Sequence, residues 1–219
     1  MVEYQGRRAV TLTAQPQWKP VYADWLDRDI RRRIAAGRRQ HLSRALGLHN
    51  RPHATIIDAT GGMGRDALVL AALGARLHLL ERNATVFELL RDAQQRALCT
   101  DQADLRAAAK RIELIHVDAR QWLGAHTRNE HRIYLDPMYP QHAKNALPQK
   151  SMQVLRAVCG DNQDADELLH AALATPASRV VVKRPSTAPH LGAAKPDASI
   201  KATQTRFDLY FAKGGTVPS

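Results

Sequence analysis

The chain has 219 residues, 44% hydrophobic and 24% charged, a balance that suits a folded globular protein and excludes a disordered or fibrous one. Lys and Arg number 32 against 21 Asp and Glu, and the resulting charge of +11 calls for an anionic partner. No apolar run approaches the roughly 20 residues of a membrane span and Met1 opens no secretory signal, so nucleic acid is favoured over a membrane and a cytoplasmic location is expected.

Cys99 and Cys159 form no CxxC pair, and the ten histidines show no ligand spacing. Neither a disulfide framework nor a metal site is therefore expected.

Residues 1 to 20 are polar and basic with Pro16 and Pro20, which predicts an extended or loosely held arm. From Asp24 to Leu46, apolar Trp25, Leu26, Ile30, Ile34, Leu42 and Leu46 recur mostly every three or four residues, with Gly47 as a stop. This spacing predicts one or two amphipathic helices. Their polar side carries Arg31, Arg32, Arg38 and Arg39 among others, and it is either a solvated face or an RNA phosphate surface.

After Pro52, short apolar runs alternate with helical stretches: "ATIID", "RDALVLAALG", "RLHLLE", "ATVFELLRDAQQRAL", "RIELIH", a short helix near Gln121, and "RIYLD". That rhythm predicts an α/β fold, a mostly parallel sheet with helices on both faces and ligands beyond the strands' carboxyl ends. Further on, residues 149–173 read as helix and "RVVVKRP" as a strand. Residues 186–196 read as a loop over the sheet edge, and "ASIKATQTRFDLYFA" as a closing antiparallel pair.

The first motif is "IIDATGGMGRDA". Gly62, Gly64 and Ala67 satisfy GxGxxA, the spacing of a dinucleotide turn, which alone leaves the cofactor open. Asp58, with glycines four and six residues later, matches the first motif of S-adenosylmethionine-dependent methyltransferases, with Thr60 where that superfamily usually has glycine. Two carboxylates, Asp58 and Asp66, suit a ligand bearing an ammonium and a sulfonium and repel a pyrophosphate, which disfavours an NAD-dependent oxidoreductase. Glu81 ends the next strand, where an acid accepts bonds from ribose hydroxyls. Asp118 ends the third and either contacts an adenine amine or caps the following helix.

The second motif, "LDPMYP", places Asp136, Pro137 and Tyr139 in a pattern similar to the (D/N)PP(Y/F) of methyltransferases acting on amino groups. An exocyclic amine is a poor nucleophile because its lone pair is delocalised into the ring. Acceptors such as Asp136 and the Pro137 carbonyl hold its hydrogens, and Tyr139 either stacks on an unstacked base or fills the core.

"DATGGMGRDALVLAALGARLHLLERN", "YLDPMYP", "VVVKRP" and "RFDLY" together resemble the RsmJ family of small-subunit ribosomal RNA guanine-N2 methyltransferases. The resemblance implies a Rossmann-like class I methyltransferase with a seven-stranded sheet. It implies methyl transfer from S-adenosyl-L-methionine to the N2 amine of one guanosine in 16S rRNA, with S-adenosyl-L-homocysteine as product. Residues 1–50 would form a basic arm and helical segment, and 51–219 the S-adenosylmethionine-binding domain. Cofactor contacts would fall on Asp58, Gly62, Gly64, Arg65, Asp66, Glu81, Arg82, Asp118, Ala119 and Asp136. From charge and position rather than the resemblance, RNA contacts are expected at Arg31, Arg32, Arg38 and Arg39 on the helical face and at Lys183 and Arg184 at a strand end, where they either hold phosphates or are solvated. Asp118 and Ala119 stand where the family often has two serines, and the stretch before the glycine loop is shorter than in familiar members. Three rivals stay open: another amino-group methyltransferase (DNA adenine, another rRNA position, or protein glutamine), a nicotinamide oxidoreductase, and a non-catalytic RNA-binding module.

Overall fold

The computed structural model describes residues 1–137, 150–159 and 164–212. Tyr139, the expected stacking residue, lies outside them.

The amino-terminal arm is extended but not loose. Strands β1 (Val2–Tyr4) and β2 (Arg7–Ala9) form an antiparallel hairpin, and Val10 bridges to Val21. Ala9, Val10 and Val21 are buried, so this polar stretch holds its place through a few small apolar side chains that the composition hides. Helices α1 (Arg28–Ala35) and α2 (His41–Ala45) follow, joined by a single 3-10 turn at Gly37–Arg39. Asp27 caps α1 by accepting the Asp29 N–H, and Gly47, at φ +66°, follows α2 in the left-handed conformation expected of a helix stop.

The remainder alternates as the sequence predicts. β3 (Thr55–Asp58), α3 (Arg65–Ala72), β4 (Arg76–Glu81), α4 (Ala84–Leu98) and β5 (Ile112–His116) come first. Then come α6 (Ala119–His126), β6 (Arg132–Leu135), α7 (Lys150–Cys159), α8 (Ala165–Leu173) and β7 (Arg179–Pro185). The extra helix α5 (Ala103–Ala109) has no counterpart in the sequence reading. It buries only Leu105, Ala108 and Ala109, too small a stripe to announce itself. β8 (Ala198–Lys201) and β9 (Thr205–Phe211) are the closing antiparallel pair.

The seven strands lie in the order β5-β4-β3-β6-β7-β9-β8, parallel from β5 to β7, with β9 antiparallel to β7. Alternate side chains feed two cores. Ile56, Leu79, Tyr134 and Val181 enter one, and Ile57, Leu80, Ile133 and Val182 the other. Trp25, Ile30, Leu46 and Leu48 of the amino-terminal segment are fully buried in the first core, so that segment covers one face of the sheet. The strand order reverses between β3 and β6, and the crevice that opens there at the carboxyl ends is where such sheets bind ligands.

Candidate active site

β3 delivers Asp58 to the crevice, and the chain then turns tightly into α3. The Gly61 N–H donates to the Leu80 carbonyl at 2.9 Å and draws the turn onto the end of β4. A Cβ on Gly61 would sit 2.8 Å from that oxygen and 3.1 Å from Glu81 Cβ, so no other residue fits there unchanged. Gly62, at φ +52°, donates its N–H to Glu81 Oε2 at 2.9 Å. Gly64 serves a different purpose, because its absent side chain leaves room for Trp25 and Leu90, each 2.8 Å from where its Cβ would lie. Trp25 Nε1 donates to the Met63 carbonyl at 3.0 Å, which ties the amino-terminal segment to the loop.

A cavity of about 400 Å³ lies above this turn, and all ten expected cofactor residues line it: Asp58, Gly62, Gly64, Arg65, Asp66, Glu81, Arg82, Asp118, Ala119 and Asp136. Pro137 lines it too, together with Thr60, Arg33, Tyr134 and Lys183, which the sequence did not single out as cofactor-side residues.

Asp58 is 2% exposed. Its Oδ1 accepts from the Thr60 N–H at 3.1 Å and the Thr60 hydroxyl at 3.3 Å. Burial pushes its pKa up to about 8, against the pull of the Thr60 N–H and with further help from the negative charges of Asp66 and Asp136. Among the described residues no cation pairs with it. Thr60 Oγ1 also accepts from the Asp136 N–H at 2.7 Å, so the residue replacing the usual glycine ties Asp58 to the second motif.

Asp66 is the hub of a charged cluster. It accepts from Arg33 Nη2, from the Tyr134 hydroxyl at 2.6 Å and from Lys183 Nζ at 3.0 Å. Burial alone would raise its pKa, but Lys183 and Arg33 overcome that and hold the carboxyl well below the usual range. Lys183 Nζ also donates to Asp136 Oδ2 at 2.8 Å. Burial raises the Asp136 pKa, and Lys183 opposes that shift without cancelling it.

Glu81 accepts from Gly62 N through one oxygen and from Asn83 N, at 2.7 Å, through the other. Burial lifts its pKa against those two N–H bonds. Asp118 both caps α6 and binds Arg120, whose Nη2 lies 2.7 Å away, and that side-chain bond is the main cause of its lowered pKa. Arg82 pairs with both Asp164 oxygens, and Arg120 spans Asp118, Asp164 and Glu167. These groups form an ionic rim along the same side of the cavity.

Residues 3–212 match a family model described as "Putative SAM-dependent methyltransferase". A protein from Thioalkalivibrio sulfidiphilus named ribosomal RNA small subunit methyltransferase J is 42% identical over 206 residues, 92% of this chain and 80% of that one. Its namesake from Hydrogenovibrio crunogenus is 43% identical over 90% of this chain and 72% of its own. The chain belongs to the ribosomal RNA small subunit methyltransferase J family. A crystal structure of a SAM-dependent methyltransferase from Neisseria gonorrhoeae superposes with a TM-score of 0.69 at 32% identity, covering 92% of this chain and 78% of that one.

Within this methyltransferase J fold, two of the residues expected to contact RNA are turned inward. Arg184 is 4% exposed and donates to the Pro189 carbonyl through Nε and Nη2, so it anchors the loop after β7 from inside. Lys183 points into the cavity, clamped by two carboxylates, because the β6–β7 register sets it beside Asp136. Arg32, Arg38 and Arg39 are exposed as expected, while Arg31 lies 3.4 Å from Asp104. Arg38 Nε donates to the Leu73 carbonyl at the end of α3 away from the cavity. Arg65 and Arg82 line the cavity with guanidinium groups engaged elsewhere, Arg65 by Asp27 and Asp29 and Arg82 by Asp164.

Three of the additional residues had a signal in the sequence. Thr60 stands two residues after Asp58, the spacing of an Asx turn. Tyr134 stands two residues before Asp136, at the end of β6, and Lys183 lies near the carboxyl end of β7, the next strand of the sheet. Arg33 had none beyond its place in a basic run.

Proposed function

We propose that this protein transfers a methyl group from S-adenosyl-L-methionine to the exocyclic N2 amine of a guanosine in small-subunit rRNA, leaving S-adenosyl-L-homocysteine. The observation that carries this reading is the meeting, in one cavity, of an acid-lined glycine turn and the Asp136–Pro137 pair.

The residues present fit the cofactor. Asp58 is a buried acid without a cation partner among the described residues, which is what the ammonium of an amino acid satisfies. Glu81 uses one lone pair on each oxygen for loop N–H groups, and a carboxylate has about four acceptor sites, which leaves capacity for ribose hydroxyls. Asp118 and Ala119 bound the adenine end. S-adenosylmethionine, when bound, supplies an electrophilic methyl group on a sulfonium.

The chain's own residues act on the amine. The Asp136 carboxylate and the Pro137 carbonyl accept its hydrogens and turn its nitrogen lone pair toward the cofactor side. Alignment supplies much of the rate, and the proton the nitrogen sheds has Asp136 as an acceptor. Tyr139 supplies the aromatic face for the splayed base. Residues 51–219 carry the transfer, and residues 1–50 close one face of the site and present arginines to RNA.

The test is incubation of the protein and Asp136→Ala with labelled S-adenosylmethionine and small ribosomal subunits lacking the modification, followed by nucleoside analysis. N2-methylguanosine made only by the unaltered protein is the expected result. Label in another nucleoside would reassign the substrate, and binding of RNA and cofactor without transfer would leave a binding module.

A further inference from the structure

The two motifs of the site are joined by a single ammonium. Lys183 Nζ lies 3.0 Å from Asp66 Oδ2, on the first turn of α3, and 2.8 Å from Asp136 Oδ2, beyond the end of β6. Its side chain is 27% exposed, against 13% for Asp66 and 39% for Asp136, so the cavity side of Asp136 is the open part of the cluster. Among the described residues no donor reaches Asp136 Oδ1. Among the described residues, then, one carboxylate oxygen is held and the other receives no donor.

We propose that Lys183 is a positioning residue of the transfer: its ammonium, clamped between Asp66 and Asp136, fixes the Asp136 carboxylate by Oδ2 and leaves Oδ1 to accept the hydrogen of the methyl-receiving amine. This rests on the function proposed above. The physical need is clear from the surroundings. Asp136 faces Asp66 from α3, Asp58 from β3 and the Tyr134 hydroxyl from β6, with Arg33 of α1 and Lys183 of β7 as the cations. Arg33 gives its bond to Asp66, so among the described residues Lys183 is the cation in direct contact with Asp136. Without it, Asp136 would sit in a partly buried site beside other carboxyl groups and would hold a proton to higher pH, and a protonated carboxyl has lost acceptor capacity toward an amine.

The decisive variants are Lys183→Met, which removes charge and donors, and Lys183→Arg, which keeps both. Two readouts are needed. The first is the titration of the Asp136 carboxyl by 13C NMR in the protein without RNA, assigned with Asp136→Asn. The second is kcat and KM for undermethylated subunits against pH. Lys183→Met should raise the Asp136 midpoint by at least about one unit and move the acid limb of kcat upward by the same amount. At neutral pH kcat should fall about 100-fold, with KM for RNA held within about threefold. Lys183→Arg should restore the limb. If Lys183→Met does not fold, Lys183→Gln, a donor without the charge, takes its place in both measurements.

An unmoved Asp136 midpoint overturns the inference whatever the protein's substrate. A rise in KM at constant kcat also overturns it and returns Lys183 to the role of a phosphate contact. Loss of kcat equal at every pH, with Lys183→Arg no better, marks a merely structural group and overturns it as well. If the unaltered protein methylates no guanosine while the NMR midpoint moves as expected, the function fails and the electrostatic clamp stands.

Discussion

Asp58 should make the protein less stable as the pH rises through neutrality, and Asp58→Asn should remove that dependence. The carboxyl titrates near 3.8 when unfolded and at about 8 in the fold, because it is 2% exposed and has Asp66 and Asp136 as neighbours. Between those values the folded chain keeps a proton that the unfolded chain has released. Unfolding then releases a proton, and stability falls by about 1.4 kcal/mol per pH unit. Over the window of about four units this reaches roughly 6 kcal/mol, an upper bound because water entry and relaxation at the site lessen it. An asparagine keeps the acceptor for Thr60 and does not titrate. Urea unfolding followed by tryptophan fluorescence, from pH 5 to 8 at constant ionic strength, should show the variant gaining on the parent by about 1 kcal/mol per unit. Cofactor binding adds an independent check: pairing Asp58 with an ammonium requires its ionisation, so binding at pH 6.5 should release about one proton, measurable calorimetrically in buffers of different ionisation enthalpy. A stability gap that does not change with pH would refute the buried, neutral Asp58, and binding without proton release would refute its pairing with the ammonium.

Gly61→Ala should cost about 1–3 kcal/mol and lower cofactor affinity at least about tenfold, since the new methyl meets the Leu80 carbonyl at 2.8 Å; a melting scan and calorimetry check both. Trp25→Ala should destabilise the whole protein by about 3–5 kcal/mol in denaturant unfolding, because Trp25 is fully buried between the amino-terminal segment and the glycine loop, and a small local effect would show the segment to be peripheral. Arg32→Ala and Arg39→Ala should each reduce the slope of log RNA affinity against log salt by about one. Arg184→Ala should leave that slope unchanged and instead lower thermal stability, because its guanidinium is buried against the Pro189 carbonyl.

Local chemistry is what the sequence displays well. The alternation of apolar runs announced the parallel strands, helix α4 matches its predicted stretch residue for residue, and Asp27, Asn83 and Asp118 cap helices by contacts within three residues. The glycine turn and the Asp136–Pro137 pair were legible because each is a short contiguous motif. Helix α5 and the docked hairpin were not, since their few buried side chains are small and mostly alanine or valine.

By itself, then, the sequence determined the α/β class, the strand-end placement of Asp58, Glu81, Asp118 and Asp136, and the family to which such motifs belong. Only the tertiary structure decided which charges meet. Lys183 and Arg184 are neighbours in a basic pair, yet β6–β7 pairing turns the first into the acidic cavity while the second is buried against the following loop. Arg33 finds Asp66, 33 residues away, and Thr60 finds Asp136, 76 residues away. Successive side chains on a strand point to opposite faces, and the order of strands in a sheet is not written in any one of them. The partner of a charge is therefore settled by the packing of the whole chain.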